Sequence, residues 1–322
     1  MNNILLKYLI LPKGVKSIFF KSYVYFIPFL YALKFSSNYF HSVVLFFSVF
    51  FLFEFVINPA RYQLNDSIDY EGDQKRKFNW VRPVNKANVK IVLRICFLRF
   101  ILGTSLVFLI DFRLAILAIV LFLLQIIYDF FAKKNSAFMA IFVVSVAYPI
   151  RSLAVFFCLN IQMTSTVYLI LLCIFMYSTY MIIQWRKNES FFILSNNLEQ
   201  KYNSSVFSKK SVDLFLNIIL GVFLCCFYFL IIDLLKVQET EIMFVSIISF
   251  LITVFLIFNI RMVISQPHNI LALFIFLLLL DSNVISSISI ITIVALSIIW
   301  YHKLYVVEFA KIYFKEKKYE KK

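Results

Sequence analysis

Four of the chain's 17 acidic residues lie within eight positions, in the run Asn65-Asp66-Ser67-Ile68-Asp69-Tyr70-Glu71-Gly72-Asp73. On a helix, Asp66, Asp69 and Asp73 stand at i, i+3 and i+7. At 100° per residue they fall within about 60° of one another, on one face. Three like charges on one face repel, so such a face calls for a cation. Oxygen-only ligands favour Mg²⁺, which keeps waters and bridges to substrate phosphates. The expected metal ligands are therefore Asp66, Asp69 and Asp73, with Asn65 beside them. Arg76, Lys77 and Arg82 follow the run. An acidic face for a metal next to basic groups for phosphate oxygens is the layout that diphosphate chemistry requires. The competing reading is a solvated acidic turn between helices.

The elements that must carry this run are set by composition. Of 322 residues, 62% are hydrophobic, and the mean hydropathy is +0.87. Soluble domains are closer to half apolar, so lipid is the solvent for most of this chain. Helices satisfy their own backbone hydrogen bonds in lipid, which gives an all-α membrane protein. Apolar runs predict nine spans, at roughly 17–34, 40–60, 90–110, 113–131, 138–159, 165–184, 213–235, 242–260 and 284–302. They fill the chain, so residues 1–322 form one polytopic domain, with a basic N-terminus (1–16) and a basic tail (303–322). A further apolar run at 268–280 is short for a span and leaves the side of the tail open.

The formal net charge of +15 is clustered in the gaps between spans. The N-terminus and the gaps after spans two, four and six hold most of the Lys and Arg, which places them in the cytoplasm. Charge that flanks spans does not make a soluble basic domain, which excludes nucleic acid as a partner. The partner implied instead is the bilayer. The five cysteines lie in apolar runs without metal spacing and read as buried thiols. His41, His268 and His302 form no dyad.

The run Asn65-Asp66-x-x-Asp69-x-x-x-Asp73 resembles the N-D-x-x-D-x-x-x-D motif of the UbiA superfamily of intramembrane prenyltransferases. The resemblance implies a bundle of about nine transmembrane helices. It also implies that helix two ends in the motif and holds Mg²⁺-diphosphate at a cytoplasmic mouth. The layout is most similar to the polyprenyl-phosphate phosphoribosyltransferase branch. Arg82-Pro83 matches that branch's extension of the motif. Tyr128 and Lys133 match a Tyr and a Lys after helix four, Arg151 an Arg inside helix five, and Arg186 and Glu189 a motif after helix six. The chain departs from the branch at Trp185, at Asn79-Trp80 and at Arg76-Lys77, and it lacks an Asp near the start of helix five.

The resemblance implies an Mg²⁺-dependent transferase in a membrane, the bacterial inner membrane being the expected one. Asp66, Asp69, Asp73, Lys133 and Arg151 are the expected catalytic residues. Asn65, Arg82, Tyr128, Arg186 and Glu189 are the expected phosphate-binding residues. Substrates would be polyprenyl phosphate or prenyl diphosphate. Phosphoribose transfer to polyprenyl phosphate fits best, prenyl transfer to another acceptor comes second, and a non-enzymatic lipid-phosphate carrier or flippase is the reading from another class. Independently of the resemblance, Arg151 is an ionised group deep in an apolar span, where such groups face a polar cavity or a partner. Glu54 lies on the same span as the motif and is expected to line the same cavity.

Overall fold

The computed structural model describes residues 3–12, 18, 21–75, 83–195 and 209–235. These are helical and contain no strand. In chain order the helices are α1 (Asn3–Ile10), α2 (Tyr23–Leu33), α3 (Tyr39–Phe51), a π-helical turn π1 (Leu52–Ile57), α4 (Asn58–Lys75), α5 (Val89–Ile110), α6 (Phe112–Ile127), a second π turn π2 (Tyr128–Ala132), the single turn α7 (Lys133–Asn135), α8 (Ala137–Cys158), α9 (Ser165–Ser195) and α10 (Lys209–Leu235).

Five of these stretches are long and apolar enough to cross a membrane: Tyr39–Glu71, Val89–Ile110, Phe112–Asn135, Phe138–Cys158 and Ser165–Gln184. They coincide with the second to sixth expected spans, and the chain is an integral membrane protein. Tyr23–Leu33 and Phe215–Phe227 are shorter apolar helices within the first and seventh expected spans. The expected spans at 242–260 and 284–302, the run at 268–280 and the basic tail lie outside the described residues.

Local chemistry starts these helices where the sequence allows. Asn38 caps α3 by accepting from His41 N, and Asp111 caps α6 by accepting from Arg113 N. Ser136 does the same for α8 from Met139 N, each side chain satisfying a donor that the first turn leaves without a partner. Asn160, at φ 52°, turns the chain after α8 in the left-handed region that Asn tolerates.

Helix α8 is the centre of the bundle and packs against α2, α3, α6 and α9. Ser152 Oγ on α8 donates to Val24 O at 2.6 Å, and Tyr23 Oη pairs with Ser178 Oγ of α9 at 2.7 Å, so α2 is pinned to both neighbours. By contrast, only 22% of the apolar window of α5 is buried. Its Phe97, Leu98, Ile101 and Leu109 are exposed, which makes α5 an outer, lipid-facing helix. Its inner side meets π1, where Gly103 lets the backbones close up: a Cβ there would lie 2.8 Å from Ile57 Cγ1 and 3.1 Å from Val56 Cγ1.

Helix α1 is not a free basic tail. Its Tyr8 and Leu9 pack with Val84, Val92 and Tyr70 at the foot of α4 and α5. Gln63 Nε2 donates to Leu9 O at 3.1 Å, and Arg99 Nη2 donates to Ile10 O at 3.1 Å. The last carbonyls of α1 are thereby satisfied by side chains of two other helices.

Candidate active site

The acidic run lies on α4, which continues without a break from α3 through π1, so the helical register assumed from the sequence holds. Asp66 is 3% exposed. Tyr8 Oη donates to its Oδ2 at 3.0 Å, and Asn65 Nδ2 donates to its Oδ1 at 3.2 Å. One turn further, Asp69 Oδ1 accepts from Lys133 Nζ at 2.7 Å.

Lys133 organises this end of the bundle. Its ammonium also donates to Asp129 Oδ1 at 2.7 Å and to Asn65 Oδ1 at 3.4 Å, and it stands 5.4 Å from the centre of the Tyr128 ring. Asp129 is fully buried, at 0% exposure, and its other oxygen accepts from Gln125 Nε2 at 2.9 Å. The π turn at Tyr128–Ala132 accounts for the placement of Asp129. A π turn inserts one residue into an α-helix and shifts the side chains beyond it round the axis. Asp129 was not singled out from the sequence. The available signal was an aspartate inside an apolar span, four residues before a lysine.

A second polar cluster lies deeper in the bundle, around π1. Glu54 is 4% exposed and Arg151 is 2% exposed. Glu54 Oε1 accepts from Arg151 Nη1 at 3.0 Å, Tyr25 Oη at 2.7 Å and Asn58 Nδ2 at 2.5 Å. Arg151 Nε donates to Ala147 O at 3.1 Å, and the guanidinium lies over the Tyr148 ring at 4.4 Å. Asn58 in turn accepts from Arg61 Nη1 at 3.0 Å. Arg151 has its partner in Glu54, but the pair lies in a cluster of its own and not with the acidic run, whose cavity Glu54 was expected to line.

The structure thus brings together Asn65, Asp66, Asp69, Tyr128 and Lys133 of the expected site. It sets Arg151 apart from them, with Glu54. The Asp73, Arg186 and Glu189 backbones are helical, but their side chains, and all of Arg82, lie outside the described residues. Among the described residues no three His, Cys, Asp or Glu side chains converge as a metal-binding group. Cys96, Cys158, Cys173 and Cys226 are buried as expected, but Cys225 is exposed, because it points outward from α10.

A solved structure has this fold. The chain superposes on a digeranylgeranylglyceryl phosphate synthase described in membranes, with a TM-score of 0.58 and 18% identity, over 89% of this chain and 99% of that one. The UbiA-like all-α membrane fold expected from the sequence fits this architecture. No family model matches the sequence, and no curated protein matches it.

The electrostatics divide the two clusters. At the mouth, Asp69 and Asp129 share Lys133, and Asp66 lies one turn before Asp69 on α4, an excess of negative charge among the described residues. Around π1, Arg151 and Arg61 outnumber Glu54. On the opposite end of the bundle, Arg113 ties Asp111 to Phe157 O and Asn160 Oδ1. Those hydrogen bonds from Arg113 hold the Asp111 carboxyl below the usual carboxylate range.

Proposed function

We propose that the chain is an intramembrane transferase. A donor carrying diphosphate binds at the Asp66–Asp69–Lys133 mouth, and an acceptor enters from the lipid. The observation that carries this reading is Lys133, held between Asp69 and Asp129 beside Asn65 and Asp66. A half-buried ammonium on oxygen-only acidic groups, at the end of a membrane helix, suits the neutralisation of a departing polyanion.

Mg²⁺ fits the donor set. The carboxylates of Asp66 and Asp69 and the carboxamide oxygen of Asn65 are hard oxygen ligands, and the described donors on them, which include Tyr8, Asn65 and Lys133, are exchangeable. Asp66, Asp69 and Asp73 would hold the ion, which would supply positive charge to the diphosphate oxygens. Lys133 would turn from Asp69 towards a non-bridging oxygen of the leaving group. The C1–O bond of the donor breaks, and its electron pair leaves with diphosphate. An acceptor oxygen forms the new bond to C1. A phosphate monoester attacks as an anion, so the site needs no side-chain base.

Phosphoribosyl diphosphate as donor and polyprenyl phosphate as acceptor fit the Arg82-Pro83, Tyr128, Lys133, Arg151 and Arg186-to-Glu189 pattern of the sequence. A prenyl diphosphate donor is the second reading, favoured by the fold likeness to a synthase that builds a digeranylgeranyl lipid. In either case the mouth would face the cytoplasm, because the basic gaps lie at that end.

The test is product analysis. Purified protein in detergent receives labelled phosphoribosyl diphosphate, polyprenyl phosphate and Mg²⁺, with Asp69→Ala as control. A labelled lipid that needs both Mg²⁺ and Asp69 is the expected result. Labelled lipid formed only from prenyl diphosphate moves the donor to the second reading. No turnover with either donor, from folded protein, would leave a lipid-phosphate carrier as the better account.

A further inference from the structure

Lys133 stands between two carboxylates that are not alike. Asp69 Oδ1 and Asp129 Oδ1 each accept from its ammonium at 2.7 Å. The Asp129 side chain is fully buried, and its Oδ2 accepts from Gln125 Nε2 at 2.9 Å. The Asp69 side chain keeps 15% of its surface exposed. The two also come from different parts of the bundle. Gln125, Asp129 and Lys133 follow one another at four-residue steps along the continuous segment of α6, π2 and α7. Asp69 comes from α4, one turn after Asp66.

Burial decides which of the two ion pairs can open. A carboxylate shut away from water depends on its partner, and losing that partner leaves a buried charge alone. A carboxylate at the edge of water is rehydrated when its partner leaves, and little is lost. Lys133 can therefore leave Asp69 and is bound to stay on Asp129. The same difference sorts the carboxylates as ligands. An ion arriving from water meets Asp69, with Asp66 three residues before it on the same helix and Asn65 beside them. Asp129 offers that ion nothing, because one of its oxygens is on Gln125, the other is on Lys133, and neither meets water.

We infer that Asp129 is a positioning residue of the mouth, which retains the Lys133 ammonium when Asp69 passes from the lysine to a divalent cation. This rests on the transferase reading for the use of the cation and for the phosphate oxygen that Lys133 then meets. The exchange itself stands on two ion pairs of unequal burial. Asp129 acts as the pivot: the ammonium swings off Asp69 and keeps one carboxylate throughout, so neither charge is stranded. Without the charge of Asp129, Asp69 is the carboxylate left to Lys133 among the described residues. A cation would then have to displace the lysine from it.

The experiment is metal binding, without turnover. Mn²⁺, read by electron paramagnetic resonance, is titrated into the full chain in detergent with no donor present. The parent should bind it, and Asp69→Asn should weaken binding at least about tenfold. Asp129→Asn keeps the shape of the side chain and should weaken binding by about thirtyfold or more. Lys133→Gln removes the competing charge and keeps a donor for Asp129. In that background the loss caused by Asp129→Asn should shrink to about threefold or less, because residues that act as a unit are not additive. Unchanged binding in Asp129→Asn would overturn the inference. So would an equal loss in both backgrounds, which is what charge acting through space, or general damage to the fold, produces. If Lys133→Gln does not fold, the double variant Lys133→Met/Asp129→Asn decides. Binding within about threefold of the parent supports the exchange, and binding as weak as in Asp129→Asn alone overturns it. A parent that binds no Mn²⁺ would overturn the exchange and the metal reading of the mouth together. Failure of the transferase reading looks different: the pattern of Mn²⁺ binding stands, and no donor gives product.

Discussion

At the scale of single residues, Asp69 and Lys133 of the mouth respond to substitution in different ways. Asp69→Asn keeps the shape of the side chain and removes the charge that Lys133 reads. Turnover should fall by about 10²- to 10³-fold, the size of losing one preorganised charged group, with the melting temperature little changed. Lys133→Met should instead destabilise. It leaves Asp129, with 0% exposure, holding only Gln125, and breaking one side of a buried pair costs about 3–5 kcal/mol. The double variant Lys133→Met/Asp129→Asn should regain most of the melting temperature and none of the turnover. Recovery of activity in the double variant would show Lys133 to be a structural anchor. Much of this was legible in the sequence. Helical spacing and the family motif both point at Asp66 and Asp69, with Asn65 beside them, whereas Tyr128 and Lys133 came from the resemblance alone. Asp129 and Tyr8 were not legible, since one depends on a π turn and the other on a contact 58 residues away in the chain.

At the scale of elements, two places control how the site is held. The approach of α5 to π1 depends on Gly103. Gly103→Ala would press a methyl onto Ile57, whose β-branched side chain cannot swing aside freely. The expected cost is about 1–3 kcal/mol, read as a lower melting temperature. At the far end, the Arg113 hydrogen bonds lower the Asp111 pKa. A carboxyl depressed in the folded state contributes stability above its unfolded pKa of about 3.9. That contribution is lost as pH falls through the folded value. Water screens this pair, so Asp111→Asn should cost only about 0.5 kcal/mol at pH 7. The difference from the parent should close below about pH 4. A gap that persists at low pH would assign the effect to capping of α6 alone. Helix existence and type were readable from apolar length. The π turns were not, because a one-residue insertion leaves no periodic trace in so uniformly apolar a segment.

At the scale of the whole molecule, the ends of the helices fall on two faces. The chain from Phe112 to Asn135 has 24 residues and spans about 36 Å, so Asp111 and Lys133 lie on opposite sides. Helix α1 joins Asp66 on the side of Lys133, and Asn160 joins Arg113 on the other. Single cysteines at Asn3 and Glu71, in a chain with Cys225→Ser, should therefore react with an impermeant thiol reagent from the same side of sealed vesicles. A cysteine at Asn160 should react from the other side. Labelling of Asn3 and Asn160 together would refute this arrangement. Composition alone gave the membrane and the helices. It could not show that the basic N-terminus folds back over the mouth, because α1 is held partly by its last two backbone carbonyls, which look the same in any sequence, and partly by contacts of Tyr8 and Leu9 with residues far along the chain. This docking also sets an order of events during synthesis. Residues 3–10 leave the ribosome before Asp66, Val92 and Arg99, which receive them and are made some 60 to 90 residues later. At about 5–20 residues per second, the first helix waits several seconds before its seat exists. The mouth is therefore completed only after α5 has entered the bilayer.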